Sequence, residues 1–129
     1  MAEPYVSPVV VARVAATAAR EVAEVVDLHG GALGEVATYG EGGVVRGVRI
    51  KRPPHPRVRL HLAVRFGARL DAVAEEVRRR VAAALTQHVP SFAGTTIDVH
   101  IVDVRQAGDH EAQGDGAALP PGESIEDRP

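Results

Sequence analysis

Hydrophobic positions recur at two periods along this chain, and the switches between the periods mark its elements. From Arg57 to Phe66 the alternation is strict. Val58, Leu60, Leu62, Val64 and Phe66 fall on one side, and Arg57, Arg59, His61 and Arg65 fall on the other. Successive side chains of a strand point to opposite faces, so this strand has one apolar, packed face and one basic, wet face. Residues 44–51 predict a second strand of the same kind, with Val48 and Ile50 inward and Arg49 and Lys51 outward. Pro53-Pro54-His55-Pro56 separates the two, and three prolines cannot sit inside a ladder, so the strands are expected to pair antiparallel around that turn. Residues 95–104 predict the last strand, with Ile97, Val99 and Ile101 inward and Asp98 and His100 outward.

Helical spacing brackets these strands. Ser7-Pro8 has the form of a helix start, a Ser N-cap followed by a proline whose missing N–H costs nothing there. Val11, Ala15, Ala18, Val22 and Val25 then recur as one stripe. A second helix begins near Ala68, with Leu70, Val73, Val77, Val81 and Ala84 or Leu85 as its buried stripe, and ends at Pro90. On its wet side Glu75–Arg79 and Glu76–Arg80 are spaced for i,i+4 ion pairs. Between the helices, residues 25–29 suggest a short strand ended by Gly30-Gly31. Residues 30–43 hold six glycines (Gly30, Gly31, Gly34, Gly40, Gly42, Gly43) and read as a flexible connection with a short strand near residues 35–39.

This order predicts a two-layer α+β domain, a small mostly antiparallel sheet of three or four strands with both helices on one face. The expected divisions are a loose N-terminus over residues 1–6, a single domain over 7–105 and a disordered acidic tail over 106–129. With 129 residues and 45% hydrophobic content the chain suffices for one core, built from Val, Leu, Ile and Ala because only Tyr5, Tyr39, Phe66 and Phe92 are aromatic.

Charge sharpens the picture. The net charge of −2 averages two opposed blocks. Between Gly42 and Leu70 lie eight basic residues (Arg46, Arg49, Lys51, Arg52, Arg57, Arg59, Arg65, Arg69) and no acid. Between Gln106 and Pro129 lie six acids (Asp109, Glu111, Asp115, Glu123, Glu126, Asp127) against Arg128. Such blocks report interaction or solvation rather than fold. The uncovered sheet face is expected to carry Arg49, Lys51, Arg57, Arg59, His61 and Arg65, a candidate surface for an acidic partner or an anionic lipid.

Other chemistry finds little footing. Cysteine is absent, which removes disulfides and thiolate metal sites. Ser7, Ser91 and Ser124 lack a matched base and acid, and Glu75 and Glu76 are explained by their arginines. No Gly-Lys-Ser/Thr follows the glycines at 40–43, so they are not a phosphate loop. Of the six histidines only His61 and His100 are placed to meet across strands on the exposed face, and exposed histidines are favoured there over a metal site. No catalytic residue, metal or cofactor is expected. Nucleic acid is disfavoured, because sheet-based RNA readers stack bases on aromatics and Phe66 is expected to face inward. Gly31–Gly34 and Gly40–Gly43 fit a G-x-x-G spacing without the flanking helices of an RNA-clamping loop. An RNA- or ribosome-associated α+β module is the alternative reading. For the acidic tail, an inert solubilising role is preferred over folding back on the basic face. The start Met-Ala-Glu-Pro does not have the form of a secretory signal.

Five segments together carry a family resemblance. They are Val11 to Val25 with Ala15, Ala19 and Glu21-Val22; Arg46-Gly47-Val48-Arg49-Ile50; Val58-Arg-Leu-His-Leu-Ala-Val-Arg-Phe-Gly67; Val73 to Leu85; and Ile97-Asp-Val-His-Ile-Val-Asp-Val104. In order and spacing the chain resembles, over about residues 8–104, the alkaline shock protein family of bacterial envelope stress response proteins. It departs from the family at Ala23-Glu24-Val25, where a glycine usually precedes the valine. The resemblance implies a non-enzymatic, cytoplasmic protein that gathers beneath the cell membrane, often through a small integral membrane partner, and supports envelope homeostasis; the expected role is a scaffold acting through its sheet face and through self-association. It supplies no catalytic residues.

Overall fold

The computed structural model describes residues 5–31 and 35–106. Residues 1–4 of the expected loose N-terminus, the first G-x-x-G segment beyond Gly31 and the acidic tail from residue 107 lie outside the described residues. The elements run α1 (Pro8–Arg20), β1 (Val25–Leu28), β2 (Ala37–Gly40), β3 (Gly43–Arg46), β4 (Val48–Lys51), β5 (Arg57–Arg65), α2 (Leu70–His88) and β6 (Thr96–Arg105), with a 3-10 turn at Pro90–Phe92 before β6.

Helix α1 starts where its cap dictates. Ser7 is extended and its hydroxyl accepts from the Val10 N–H at 3.3 Å, while Pro8 opens the first turn. The helix stops at Arg20, so Val22 and Val25 lie beyond it rather than on its stripe, yet both are buried. Its inner face is Val9, Val11, Ala12, Ala15, Ala16, Ala18 and Ala19, and small side chains there let it lie close to its neighbours. Helix α2 buries Val73, Val77, Val81 and Leu85. Leu70 is exposed instead, because it is the first helical residue and precedes the stretch over the sheet. On the wet side Glu76 holds Arg79 and Arg80, and Glu75 holds Arg78 in place of the expected Arg79.

Strand β5 is the axis of the sheet. One of its edges pairs antiparallel with β4 along its first half and with β1 along its second, and the other edge pairs parallel with β6. The expected α+β layering is therefore present, with two antiparallel pairings and one parallel one. The parallel pairing follows from α2, which crosses over between β5 and β6. Both helices meet the inner face, where Val48, Val58, Leu60, Leu62 and Val64 join the helical stripes in one core.

Residues 44–51 do not form one strand. The chain turns at Gly47, whose φ of +79° favours glycine, and β3 leaves the main sheet to pair with β2 in a separate hairpin. Gly47 is wedged at the junction: its N–H donates to the Val36 carbonyl at 2.8 Å, and its carbonyl accepts from the His61 N–H at 2.9 Å. The second G-x-x-G segment is the tip of this hairpin, where Gly40 pairs with Gly43. A buried bond from the Thr38 hydroxyl to the Val48 carbonyl, 2.6 Å, ties the hairpin to the sheet.

Phe66 corrects the inward expectation. It is 64% exposed because β5 ends at Arg65. The Phe66 N–H still donates to the Arg105 carbonyl at 2.7 Å, but the turn through Gly67, φ +96°, swings the ring off the inner face.

Candidate functional site

Register decides how the basic face is assembled. Strand β4 meets β5 with Lys51 opposite Arg57 and Arg49 opposite Arg59, and β6 places Asp98 opposite Arg59 and His100 opposite His61. With Val48 and Val58 buried on the inner side, these polar residues share the outer face. Arg49, Lys51, Arg57, Arg59 and Arg65 are all exposed, and His61 is half-buried. Both helices contribute their buried stripes to the inner-face core, and the outer arginines remain open to solvent.

The six candidate residues do not form one uniform patch. Arg49, Lys51, Arg57 and Arg59 cluster at one end, where like charges stand directly opposite each other across the β4–β5 ladder. That arrangement is unfavourable in isolation. One carboxylate enters the cluster: Asp98 approaches the Arg57 Nε at 3.2 Å. Arg65 lies six residues further along β5, about 20 Å away at strand rise. Its guanidinium donates to the Ala23 carbonyl at 3.4 Å.

Between these ends a histidine row crosses the sheet. The His29 N–H donates to the His61 carbonyl at 2.8 Å, and His61 is in register with His100. The His61 and His100 rings stack with centroids 4.9 Å apart and planes 19° apart. The two rings therefore meet as the alternation allowed, but face to face. Among the described residues, no three His, Asp or Glu side chains converge closely enough to hold a metal ion. The His61 Nε2 is enclosed without a hydrogen-bond partner among the described residues. Burial holds the His61 pKa below its ordinary value of 6.5, and positive charge at His100, Arg59, His29 and Arg49 adds to the effect.

Beyond the histidines the outer face is neutralised from within. Asp27, Ala63 and Asp103 lie side by side across β1, β5 and β6. Arg105 reaches over Ala63, its Nε 3.0 Å from Asp103 and its Nη1 3.7 Å from Asp27. This explains why Ala63 is fully buried on a face without a helix, and why the Arg105 side chain is only 7% exposed. Alternation alone missed Arg105. Carried on from Ile97, Val99 and Ile101, it turns residues 103 and 105 inward. An irregularity between Ile101 and Asp103 adds Val102 to β6 and moves both charges to the outer face. Two charged residues at nominally inward positions are the signal that could have revealed it.

This combination defines a class of small α+β protein: a helix-backed sheet with a graded basic outer face. A family model covers residues 2–106, and the chain belongs to that family, the alkaline shock protein 23 family, described by a cell envelope-related function. Comparison with curated proteins and with solved structures finds no match. Among the described residues, no helix is long and apolar enough to cross a membrane.

Proposed function

We propose that this chain is a non-enzymatic envelope scaffold. It works on the cytoplasmic side, where the Arg49, Lys51, Arg57 and Arg59 end of its outer sheet face rests on the anionic surface of the cell membrane. The observation that carries this reading is the direct opposition of Lys51 with Arg57 and of Arg49 with Arg59 on an uncovered face. Mutual repulsion makes that face costly to the isolated protein, and an anionic surface relieves it. Each cationic side chain near an anionic bilayer contributes about 1 kcal/mol, so four supply roughly 3–4 kcal/mol before Asp98 offsets part. That is weak for a single copy and sufficient for an array.

Self-association supplies the array. Among the described residues β6 pairs only with β5, so one edge of a ten-residue strand is open, with Val102 and Val104 exposed along it. A small integral membrane protein with an acidic cytoplasmic segment is a compatible partner for the same face. The RNA alternative gains no support. Phe66 is exposed but lies past the end of β5, beside Arg65 and away from the four-residue cluster.

The test is co-sedimentation of the full chain with vesicles containing phosphatidylserine or phosphatidylglycerol, together with localisation in cells. Charge reversal at Arg49, Arg57 and Arg59 to Glu abolishes both binding and membrane-proximal localisation, while reversal at Arg65 alone has a small effect. A folded triple variant that still binds and localises normally overturns the proposal.

A further inference from the structure

A second cationic surface lies around the free edge of β1, apart from the β4–β5 cluster. It is an open cleft of about 980 Å³ between the C-terminal half of α1, the edge of β1 and strand β3, with Arg13, Arg20, Arg46 and Arg105 on its walls. His29 lies at its floor, where its Nδ1 accepts from the Gly31 N–H at 3.0 Å, leaving the proton of the neutral ring on Nε2. Among the described residues Asp27 is the one acid on its walls, already engaged by Arg105, and the Glu35 carboxylate stands beside Gly31 at its rim. Arg13, Arg20 and Arg46 have no ion-pair partner among the described residues; Arg13 donates to the Gly42 carbonyl at 2.5 Å. The cleft is thus a concave surface with a net excess of positive charge and hydrogen-bond donors.

We propose that the occupant of this cleft is the acidic segment 107–129 of the same chain. Two observations select it. The described chain leaves β6 just past Arg105, whose side chain reaches across to a wall of the cleft, so the segment starts within about two strand spacings of the site. Its charge is complementary, with Asp109, Glu111, Asp115, Glu123, Glu126 and Asp127 against a single Arg128. Twenty-three residues reach up to about 75 Å when extended, far more than the cleft requires, and Asp109 is only four residues beyond Arg105. Covalent attachment raises the effective concentration of the acids to the millimolar range, so individually weak Arg–carboxylate contacts are populated at low salt. The segment then covers Arg13, Arg20 and Arg46 and leaves the β4–β5 cluster open. The inference is independent of what that cluster binds.

The chain has no cysteine, so Ser124→Cys in the full-length protein gives a unique position for a nitroxide spin label. At low salt the label broadens the amide signals of Gly30, Gly31, Gly43 and Arg46 most strongly, and the effect falls off along β4 and β5 toward Lys51 and Arg57. The broadening disappears at about 0.5 M salt, where the Debye length falls below roughly 5 Å. It is weakened in Arg46→Gln, a change at an exposed position, and lost in a variant carrying Glu123→Gln, Glu126→Gln and Asp127→Asn. Absence of broadening at the cleft at low salt, or broadening centred on Arg49, Arg57 and Arg59, overturns the proposal. Broadening at the cleft that survives both high salt and the charge-neutral variants overturns it as well, because the contact is then not electrostatic.

Discussion

The imidazole rings of His61 and His100 lie stacked across the parallel β5–β6 pair, 4.9 Å between centroids, between a cationic cluster at one end of the outer face and the Asp27–Arg105–Asp103 group at the other. His61 is half-buried beneath the exposed His100 ring, and His100, Arg59, His29 and Arg49 surround it with positive charge. Protonation of His61 is therefore unwelcome in the folded state.

The consequence for stability has a definite sign. The folded-state pKa of His61 lies below 6.5, chiefly through burial, so the unfolded chain binds more protons than the native one once pH falls toward that value. The contribution is fully present above the ordinary histidine pKa and is lost as pH falls below about 6.5 and on through the lower folded-state value. Urea titrations across that range should show the decline, and His61→Gln should flatten it. An acid dependence identical in the variant places its origin elsewhere.

Arg105 offers an asymmetric test. Arg105→Met removes a guanidinium but keeps an apolar stem over Ala63. Asp27 and Asp103 are about half exposed and rehydrate, so the cost is about 1 kcal/mol. Replacing Asp27 and Asp103 together with Asn leaves a shielded cation without a counter-charge, and this costs more, about 2–3 kcal/mol. Chemical denaturation of the two variants checks the order.

Gly47 tolerates no side chain. A Cβ there stands 2.8 Å from the His29 nitrogen and 2.8 Å from the Leu28 Cβ, and the backbone is already at φ +79°. Gly47→Ala should destabilise by about 2–4 kcal/mol, through backbone strain and the forced separation of β1 from the β3–β4 joint. A thermal midpoint within a degree or so of the parent protein contradicts this account.

Thr38 couples the hairpin to the domain. Thr38→Val keeps the shape and loses the bond to the buried Val48 carbonyl, for a cost of about 1 kcal/mol. Amide exchange should quicken selectively over 37–46, since β2 and β3 are held to the main sheet largely through this contact and the bonds at Gly47. Uniform acceleration over the whole domain argues against the hairpin as a separately opening unit.

The strand β5 and its two faces were legible from residue order alone. Alternation at a period of two needs no knowledge of the partner strand, and burying one face forces the other outward. The same holds for the buried stripe of α2 and the Ser7-Pro8 start of α1, where local chemistry and packing agree. By contrast, the break at Gly47 was invisible, because apolar and polar residues alternate through it without a change of rhythm. Leu70 and Phe66 were misplaced for a related reason, since periodicity gives the phase of an element and not where it stops.

What residue order determined by itself is the layering: helices on the greasy side of one sheet, cations on the other. Tertiary structure decided how those cations are grouped. Pairing register set Arg49 against Arg59 and Lys51 against Arg57, and a single extra residue at Val102 turned Asp103 and Arg105 over to neutralise the far end. The parallel crossover through α2 brought His100 onto His61. Alternation is a property of one strand, whereas register and bulges are properties of a pair. They depend on which strands the rest of the chain delivers side by side, and no single segment encodes that.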